Sequence, residues 1–447
     1  MNIQRIKNFI PKPLYTFFQP IYHFSLAFLG AVRYKFPSWR MTVIGVTGTK
    51  GKTTTSNIIA SLLQANGKDT GLATTVNFRI KDKEWVNETK QTMLGRMRLQ
   101  NLLASMVRAG CLYAVIETSS EGILQYRNKF IDYDMAVFMN LSPEHIERHG
   151  SFENYRNAKI KLFKGISQKK HGIGIYNLDD ENVEYFLKIP VAWKIGFCIK
   201  GKVDRSSLPK VDEILLISDI SLSPEKTVFH ANGVPFEIPL VGEFNVYNAV
   251  AAIAVAHASG IPLKDIQRTL TSITPPAGRF ERIEQGQPFS VIVDYAHEPA
   301  SLEAVYKAVR DSHIKKNQGK IIGLLGAQGG GRDTWKRPAL GAIAAQYCDI
   351  IVLTNEDPYD DDPKKIITDI KTGVFNHGFS EDLVYEVLDR KGALKKALSL
   401  AKDGDVVIAT GKGGEVWMCI QDGKKIPWSD KETIEDILKE SGYNTTV

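Results

Sequence analysis

Cysteine is scarce in this chain, and the four present (Cys111, Cys198, Cys348, Cys419) are scattered with no C-x-x-C pair. That argues against a zinc ribbon or a disulfide-stapled fold and for a reducing compartment. No internal repeat or low-complexity tract is visible, so arrays and long disordered segments are not expected. Large charge imbalance is missing too: the net charge is only +7. The basic residues form no aromatic-interleaved patch beyond the N-terminus, which leaves a nucleic-acid function without support. One stretch lacks charge altogether. From Leu14 to Val32 there are nineteen residues without Asp, Glu, Lys or Arg, bracketed by Arg5, Lys7, Lys12, Arg33, Lys35 and Arg40. Its length permits a membrane span. Gln19, Pro20, His23 and Ser25 interrupt it, its aromatics are spread throughout, and no small-residue cleavage site follows. Three readings stand: a helix pair lying on a membrane surface through residues 8–36, a helix packed on the domain or a dimer partner, and a span.

What is present is ample apolar material. With 447 residues and 43% hydrophobic content, two or three domains are expected. The organising stretch is 41–55. A β-branched run (Val43, Ile44, Val46) stops at a glycine-rich turn, and Ser56 to Gln64 follows with a helical apolar face. Gly48 and Gly51 let backbone N–H groups point inward, and the helix N-terminus adds partial positive charge, so a polyphosphate fits there. Lys52 can reach the β/γ-phosphate oxygens and Thr53 can ligate Mg²⁺. The strict G-x-x-x-x-G-K-[ST] pattern wants glycine at 46, which is Val46; the glycines fall at 45, 48 and 51.

Beyond the cradle, strands alternate with helices. Tyr113 to Ile116 ends at Glu117 and Met135 to Met139 ends at Asn140, as in a parallel α/β sheet with ligands at the carboxyl ends of its strands. Residues 170–240 read as short strands in a small antiparallel appendage. Pro275, Pro276 and Gly278 mark a boundary, after which strands at 290–294, 320–325, 350–354 and 406–410 suggest a second, Rossmann-like α/β domain.

Further short stretches occur in a telling order. They are Gly45-Val-Thr-Gly-Thr-Lys-Gly-Lys-Thr-Thr54, Glu117-Thr-Ser-Ser120, Asn140-Leu-Ser-Pro-Glu-His145 with His149-Gly150, and Glu153-Asn-Tyr-Arg-Asn-Ala-Lys159. Asn245-x-x-Asn248-Ala249, Gly278-Arg-Phe-Glu281, Asp294-Tyr-Ala-His297 and Gly411-Lys-Gly-Gly-Glu415 follow. In this order they resemble the Mur ligases, most closely the MurE type that adds the third residue of the peptidoglycan stem peptide. The resemblance spans 41–420. It implies ATP and Mg²⁺, a central ATP-binding domain over 41–277 and a C-terminal domain over 278–447. A carboxylate of a muramyl peptide would be activated as an acyl phosphate and attacked by a free amino acid, in the cytoplasm. It also implies that Gly48, Thr49, Lys50, Gly51, Lys52, Thr53 and Thr54 hold the phosphates. Thr53, Glu117, His145 and a CO₂-carbamylated Lys159 would serve the metals. Arg279 would reach the phosphates, Asn248, Asp294, Tyr295 and His297 would hold the nucleotide, and domain closure would complete the site. Thr92, Ser120, Gln125 and Arg127 match positions that contact the muramyl peptide.

The sequence departs from the pattern in three places. Only 44 residues precede Gly45, so the short apolar and basic segment 1–40 stands in place of a UDP-binding domain, and the acceptor is UDP-linked or lipid-linked. The amino-acid-selecting Asp-Asn-Pro-Arg of diaminopimelate-adding members is Glu356-Asp357-Pro-Tyr359, followed by Asp360, Asp361 and Asp362. Without the arginine, bidentate carboxylate recognition is lost, and acidic neighbours favour an amino acid with a distal amine. The acidic run itself also reads as a solvated turn. The usual Gly-Lys-Gly-His-Glu keeps Gly411 and Glu415 but has Gly414 for histidine, and Glu121 replaces the histidine of Ser-Ser-His. Rival readings are a folylpolyglutamate-type ligase and a non-catalytic nucleotide-binding subunit.

Overall fold

A computed structural model describes residues 12–89, 91–144, 146–202, 210–314, 319–331 and 333–443. The chain divides into two compact units. One comprises Met1–Ser218, His230–Phe236 and Tyr247–Leu270; the other comprises Asp219–Phe229, Glu237–Val246 and Thr271–Val447.

The first unit is built on β1 (Thr42–Thr47), β2 (Thr70–Ala73), β3 (Asn77–Ile80), β4 (Lys83–Val86), β5 (Tyr113–Glu117), β6 (Met135–Phe138), β7 (Ile173–Asn177), β8 (Trp193–Ile199) and β9 (Glu213–Leu222). With β10 (Thr227–Ala231) and β11 (Val234–Ile238) the sheet order is β11-β10-β9-β8-β7-β6-β1-β5-β2-β3-β4. The central strands are buried on both faces, which is why they read as apolar runs without alternation. β1 pairs in parallel with β5 and with β6, setting Val46 opposite both Glu117 and Val137. Glu117 and Asn140 thus leave their strands level with the glycine turn. Gly45 belongs to the strand: a Cβ there would lie 2.9 Å from Leu162 and from the Tyr133 ring. It is a packing glycine, and the cradle is made by Gly48 and Gly51 alone.

The expected antiparallel appendage is smaller than 170–240. β7, β8 and β9 continue the parallel sheet; the chain then turns back between β9 and β10, where the Ser223 amide meets the Lys226 carbonyl, and again into β11 through Asn232 and Gly233 at φ 51° and 78°. β8 was not legible as a strand because Lys194 and Gly196 break its apolar run. The long helices of this unit are α1 (Lys12–Arg33), α2 (Lys52–Ala65), α3 (Arg96–Arg108) and α4 (Phe152–Ile166); α5 (Glu243–Ala258) follows β11. Among the described residues α1 is a single helix containing Pro20; of the three readings of this segment, a helix pair was one, and its residues 8–11 lie outside the described residues. No helix of the described residues is long and apolar enough to cross a membrane.

The second unit carries a six-stranded sheet of β12 (Glu281–Arg282), β13 (Ser290–Val293), β14 (Ile321–Leu325), β15 (Ile350–Leu353), β16 (Val384–Glu386) and β17 (Val406–Ala409), in the order β12-β13-β17-β14-β15-β16. All pairs are parallel except β12–β13. A fully buried ion pair ties two of its helices: Arg390 Nε and Nη2 donate to the Asp430 carboxylate at 2.8 and 2.6 Å, and Nη2 also donates to the Thr410 carbonyl. Removing one partner strands a buried charge. Arg390→Ala should therefore cost about 3–5 kcal/mol of stability, read from the midpoint of chemical unfolding.

Candidate functional site

In the first unit the polar groups converge at the N-terminus of α2. The residue before it, Gly51, has φ 81°, and no side chain caps the helix. An uncapped helix start with its amides unclaimed by a side chain is an anion site. The Asn140 side-chain oxygen accepts the Thr49 and Lys50 amides at 3.2 and 2.8 Å, fixing the turn. Lys52 Nζ donates to the Thr49 carbonyl at 2.9 Å, folded over the loop it would serve. The Thr53 hydroxyl donates to Glu117 Oε2 at 3.0 Å, and that oxygen also accepts the Thr75 amide at 2.8 Å. Thr54, next along the helix, is buried.

Lys159 lies on α4 with only 1% of its surface exposed, and its Nζ donates to the Gly48 carbonyl at 2.7 Å. Burial holds this amine well below the ordinary lysine range, and the neighbouring Lys52 charge lowers it further. One turn earlier, Tyr155 shares a hydrogen bond with the Thr49 hydroxyl at 3.0 Å. His145 lies outside the described residues. Before it, Glu144 pairs with Lys50 at 3.0 Å.

Asn248, expected at the nucleotide base, lies against the turn. It accepts from the Thr55 hydroxyl at 3.2 Å, and a Cβ on Gly51 would come within 2.3 Å of its side-chain oxygen. Gly51→Ala meets both this clash and a left-handed backbone. We expect it to destabilise the unit by about 1–3 kcal/mol and to raise the KM for ATP at least tenfold, measured by melting and by phosphate release.

The acceptor-side residues divide into two groups. Thr92 reaches the Thr75 hydroxyl at 3.1 Å and so joins the Glu117 network, while the Ser120 hydroxyl meets His149 Nε2 at 3.1 Å. Gln125 accepts from Arg127 Nε and Nη2 at 3.1 and 2.8 Å, and Arg127 also donates to the Gln91 side chain and the Met93 carbonyl. Glu121 lies 3.6 Å from Arg148, as a half-exposed pair.

The second unit gathers its own set. Asp294 accepts the Phe280 and Ala296 amides, both at 2.7 Å, stapling the Arg279 segment beside Tyr295; burial raises its carboxyl above the usual range. The Arg279 guanidinium lies 4.4 Å from the Tyr295 ring centre, and His297 Nδ1 meets the Tyr295 carbonyl at 2.7 Å. Lys412 is fully buried; it donates to Asp357 at 2.9 Å, Glu415 at 2.6 Å and the Trp417 carbonyl at 2.7 Å. The Tyr295 hydroxyl donates to the other Glu415 oxygen at 3.5 Å.

Glu356 is different. It is fully buried, and among the described residues neither of its oxygens accepts a hydrogen bond. Burial, with the adjacent Asp357 charge, pushes its carboxyl up to about 7. A Cβ on Gly411, at φ 99°, would stand 2.2 Å from Glu356 Oε2, so only glycine lets the backbone pass this close to the carboxylate. Tyr359 takes a left-handed φ of 51°, with its ring against Gly330.

The acidic run is accounted for inside the fold. Asp360 accepts the Asp422 amide, Asp361 accepts from Arg337, and Asp362 caps the helix Pro363–Asn376 through the Lys364 amide. Asp360 and Asp362 are exposed, as in the solvated turn that the run also read as; among the described residues Glu356 is a buried acidic group whose oxygens accept no hydrogen bond.

Two stretches match the family descriptions "Mur ligase middle domain", over 46–256, and "Mur ligase, glutamate ligase domain", over 278–413. The UDP-N-acetylmuramyl-tripeptide synthetase of Roseiflexus sp. (strain RS-1) is 36% identical over 433 residues, which is 94% of this chain and 82% of that one. The chain belongs to the Mur ligase family. A UDP-N-acetylmuramoyl-L-alanyl-D-glutamate–2,6-diaminopimelate ligase of Geobacillus thermodenitrificans is also 36% identical, with 93% and 82% covered. A solved structure of a ligase of that same name superposes with a TM-score of 0.61 at 28% identity, over 90% of this chain and 79% of the other. As a Mur ligase of MurE type it is an ATP-dependent ligase with the family's α/β architecture.

Sequence reasoning missed Tyr155, His149 and Lys412 as members of these networks. Each stood inside a quoted motif, but a tyrosine, a histidine before glycine and a lysine between glycines carry no spacing signal of their own.

Proposed function

We propose that this Mur ligase joins a free amino acid to the carboxylate of a muramyl peptide at the expense of ATP. The observation that carries the reading is the Thr53–Glu117 hydrogen bond at an uncapped helix start, with buried Lys159 on the same turn. One carboxylate oxygen attacks the γ-phosphorus and ADP departs. The amine then attacks the carbonyl carbon, loses a proton, and expels phosphate that keeps the carboxylate oxygen.

Gly48 to Thr54 would hold the phosphates, with Lys52 placed on the charge. Thr53, Glu117, His145 and Lys159 are the proposed Mg²⁺ ligands, and the ion would offset charge on the phosphate oxygens. Lys159 fits this because only a neutral amine reacts with CO₂, and burial shifts the amine toward its neutral form; the carbamate so formed would be an anionic oxygen ligand. Asn248 braces Gly51. Arg279, Asp294, Tyr295 and His297 are assigned to the nucleotide side. Thr92, Ser120, Gln125 and Arg127 are assigned to the acceptor.

Glu356 and Glu415, with Asp357, Tyr359 and Gly411, would form the amino-acid pocket. An unpaired buried carboxylate calls for a cation, so an ammonium group of the incoming amino acid would complete it. Tyr359 in place of arginine disfavours a distal carboxylate, which points to lysine or ornithine over diaminopimelate. Use of ATP and such an acceptor would place the reaction in the cytoplasm.

The test is phosphate release by the purified full chain with ATP and UDP-MurNAc-dipeptide, scanned over lysine, ornithine and diaminopimelate, with product masses. Turnover with lysine or ornithine supports the reading. Strong preference for diaminopimelate overturns the pocket assignment. Turnover with a lipid-linked muramyl dipeptide alone would move the acceptor to the membrane, and silence with both acceptors would overturn the muramyl assignment.

A further inference from the structure

The structure leaves one surface that the ligase chemistry does not use. α1 packs on α3 through a stripe that includes buried Ala27, Gly30 and Ala31. Its opposite stripe is also apolar: Ile21, Tyr22, Phe28, Leu29 and Val32 recur at helical spacing, and each is between 45% and 56% exposed. Trp39, just past the helix, is 66% exposed and stacks on Phe36. Soluble surfaces rarely carry so much contiguous apolar area without a partner.

A second observation says what the partner is. At the C-terminal end of the stripe lies a cavity of about 220 Å³ lined by Arg33, Lys35, Arg40 and Arg108, with Tyr34 and Val107 between them. Among the described residues none of the four cations forms an ion pair. Neither α1 nor α3 contains an acidic residue, and the first in the whole chain is Asp69. Asp132, whose amide meets Ser38 beside this cavity, has its carboxylate 3.0 Å from Lys169. An apolar stripe continuous with a cationic pocket matches the two layers of an anionic bilayer surface, acyl chains beneath phosphate headgroups.

We propose that α1 lies in the plane of an anionic phospholipid membrane, with Ile21, Tyr22, Phe28, Leu29 and Val32 among the acyl chains. Arg33, Lys35, Arg40 and Arg108 receive a headgroup phosphate. This docking deepens the muramyl-ligase reading, since it holds the enzyme where a lipid-linked acceptor would lie, but the surface argument stands without it.

The experiment is co-sedimentation of the full chain with vesicles of phosphatidylcholine, with and without phosphatidylglycerol, alongside ATP turnover on the soluble acceptor. Binding is expected only with phosphatidylglycerol. It should fall at least tenfold in Ile21→Ser/Tyr22→Ser/Leu29→Ser and at least tenfold in Arg33→Glu/Arg40→Glu, with turnover on the soluble acceptor unchanged in both. Absent binding, equal binding to both vesicle types, or variants that bind like the wild type overturn the proposal. So does inorganic phosphate binding that Arg33→Glu/Arg40→Glu abolishes while vesicle binding persists, because the cavity then serves free phosphate. A concentration-dependent dimer that the serine variant loses also overturns it, because a second copy then covers the stripe. Vesicle binding by a wild type that turns over neither the soluble nor a lipid-linked acceptor would sink the ligase reading alone.

Discussion

Lys159→Met will lower kcat by on the order of 10³ while raising the melting temperature of the unliganded protein at neutral pH. The activity loss follows from removing the amine buried against the Gly48 carbonyl, at the point where the proposed metal ligand forms. The stability gain follows from replacing a group whose charged form burial opposes with an apolar side chain of similar length, worth about 1–2 kcal/mol. The pH dependence has a definite sign. Because folding depresses the amine below its ordinary range, the unfolded chain binds the extra proton, and wild-type stability rises with pH up to that ordinary range. The methionine variant lacks this rise, so its advantage shrinks as pH increases. Melting curves at several pH values, with phosphate-release kinetics, check both halves. A variant with wild-type turnover would reduce Lys159 to a packing role.

Glu356→Gln is expected to raise the KM for the amino acid 10- to 100-fold, since a charge-assisted hydrogen bond to a buried carboxylate is worth about 1.5–3 kcal/mol. Its stability effect runs the other way. The folded carboxyl titrates at about 7 against an ordinary 4.5, so the folded protein holds the extra proton in that window. Wild-type stability therefore falls as pH rises from about 4.5 to about 7 and stays low above it, a cost of about 3 kcal/mol. Glutamine carries no such cost and should melt higher at pH 8, with the gap closing toward pH 5. Saturating the wild type with the preferred amino acid should recover much of the difference, because the ammonium supplies the missing partner. An unchanged KM would remove Glu356 from the pocket.

How much of this was legible in the sequence depended on how local the signal was. The strand–turn–helix at 41–65 could be read because glycine, lysine and threonine sit next to one another in the order that a phosphate requires. Glu117 and Asn140 could be placed because they end apolar runs, and parallel pairing then fixes their height. The role of Gly45 was hidden, since only the tertiary approach of Leu162 and Tyr133 shows why a side chain is forbidden there. Asn248 shows the same limit. Its position in the pattern was recognised, but its placement against Gly51 depends on a contact 197 residues apart in sequence. The run Asp360-Asp361-Asp362 read both as a solvated turn and as neighbours of the amino acid, because composition does not reveal that a backbone amide, an arginine and a helix start bond to those oxygens.

The most direct test of the central claim follows oxygen. A muramyl dipeptide acceptor labelled with ¹⁸O in its reacting carboxylate is incubated with the enzyme, ATP and the preferred amino acid, and the released phosphate is analysed by mass. Activation by phosphoryl transfer predicts one ¹⁸O in each phosphate from fully labelled acceptor, formed in step with amide product. Unlabelled phosphate alongside amide product would mean that the carboxylate is never phosphorylated and would contradict the account.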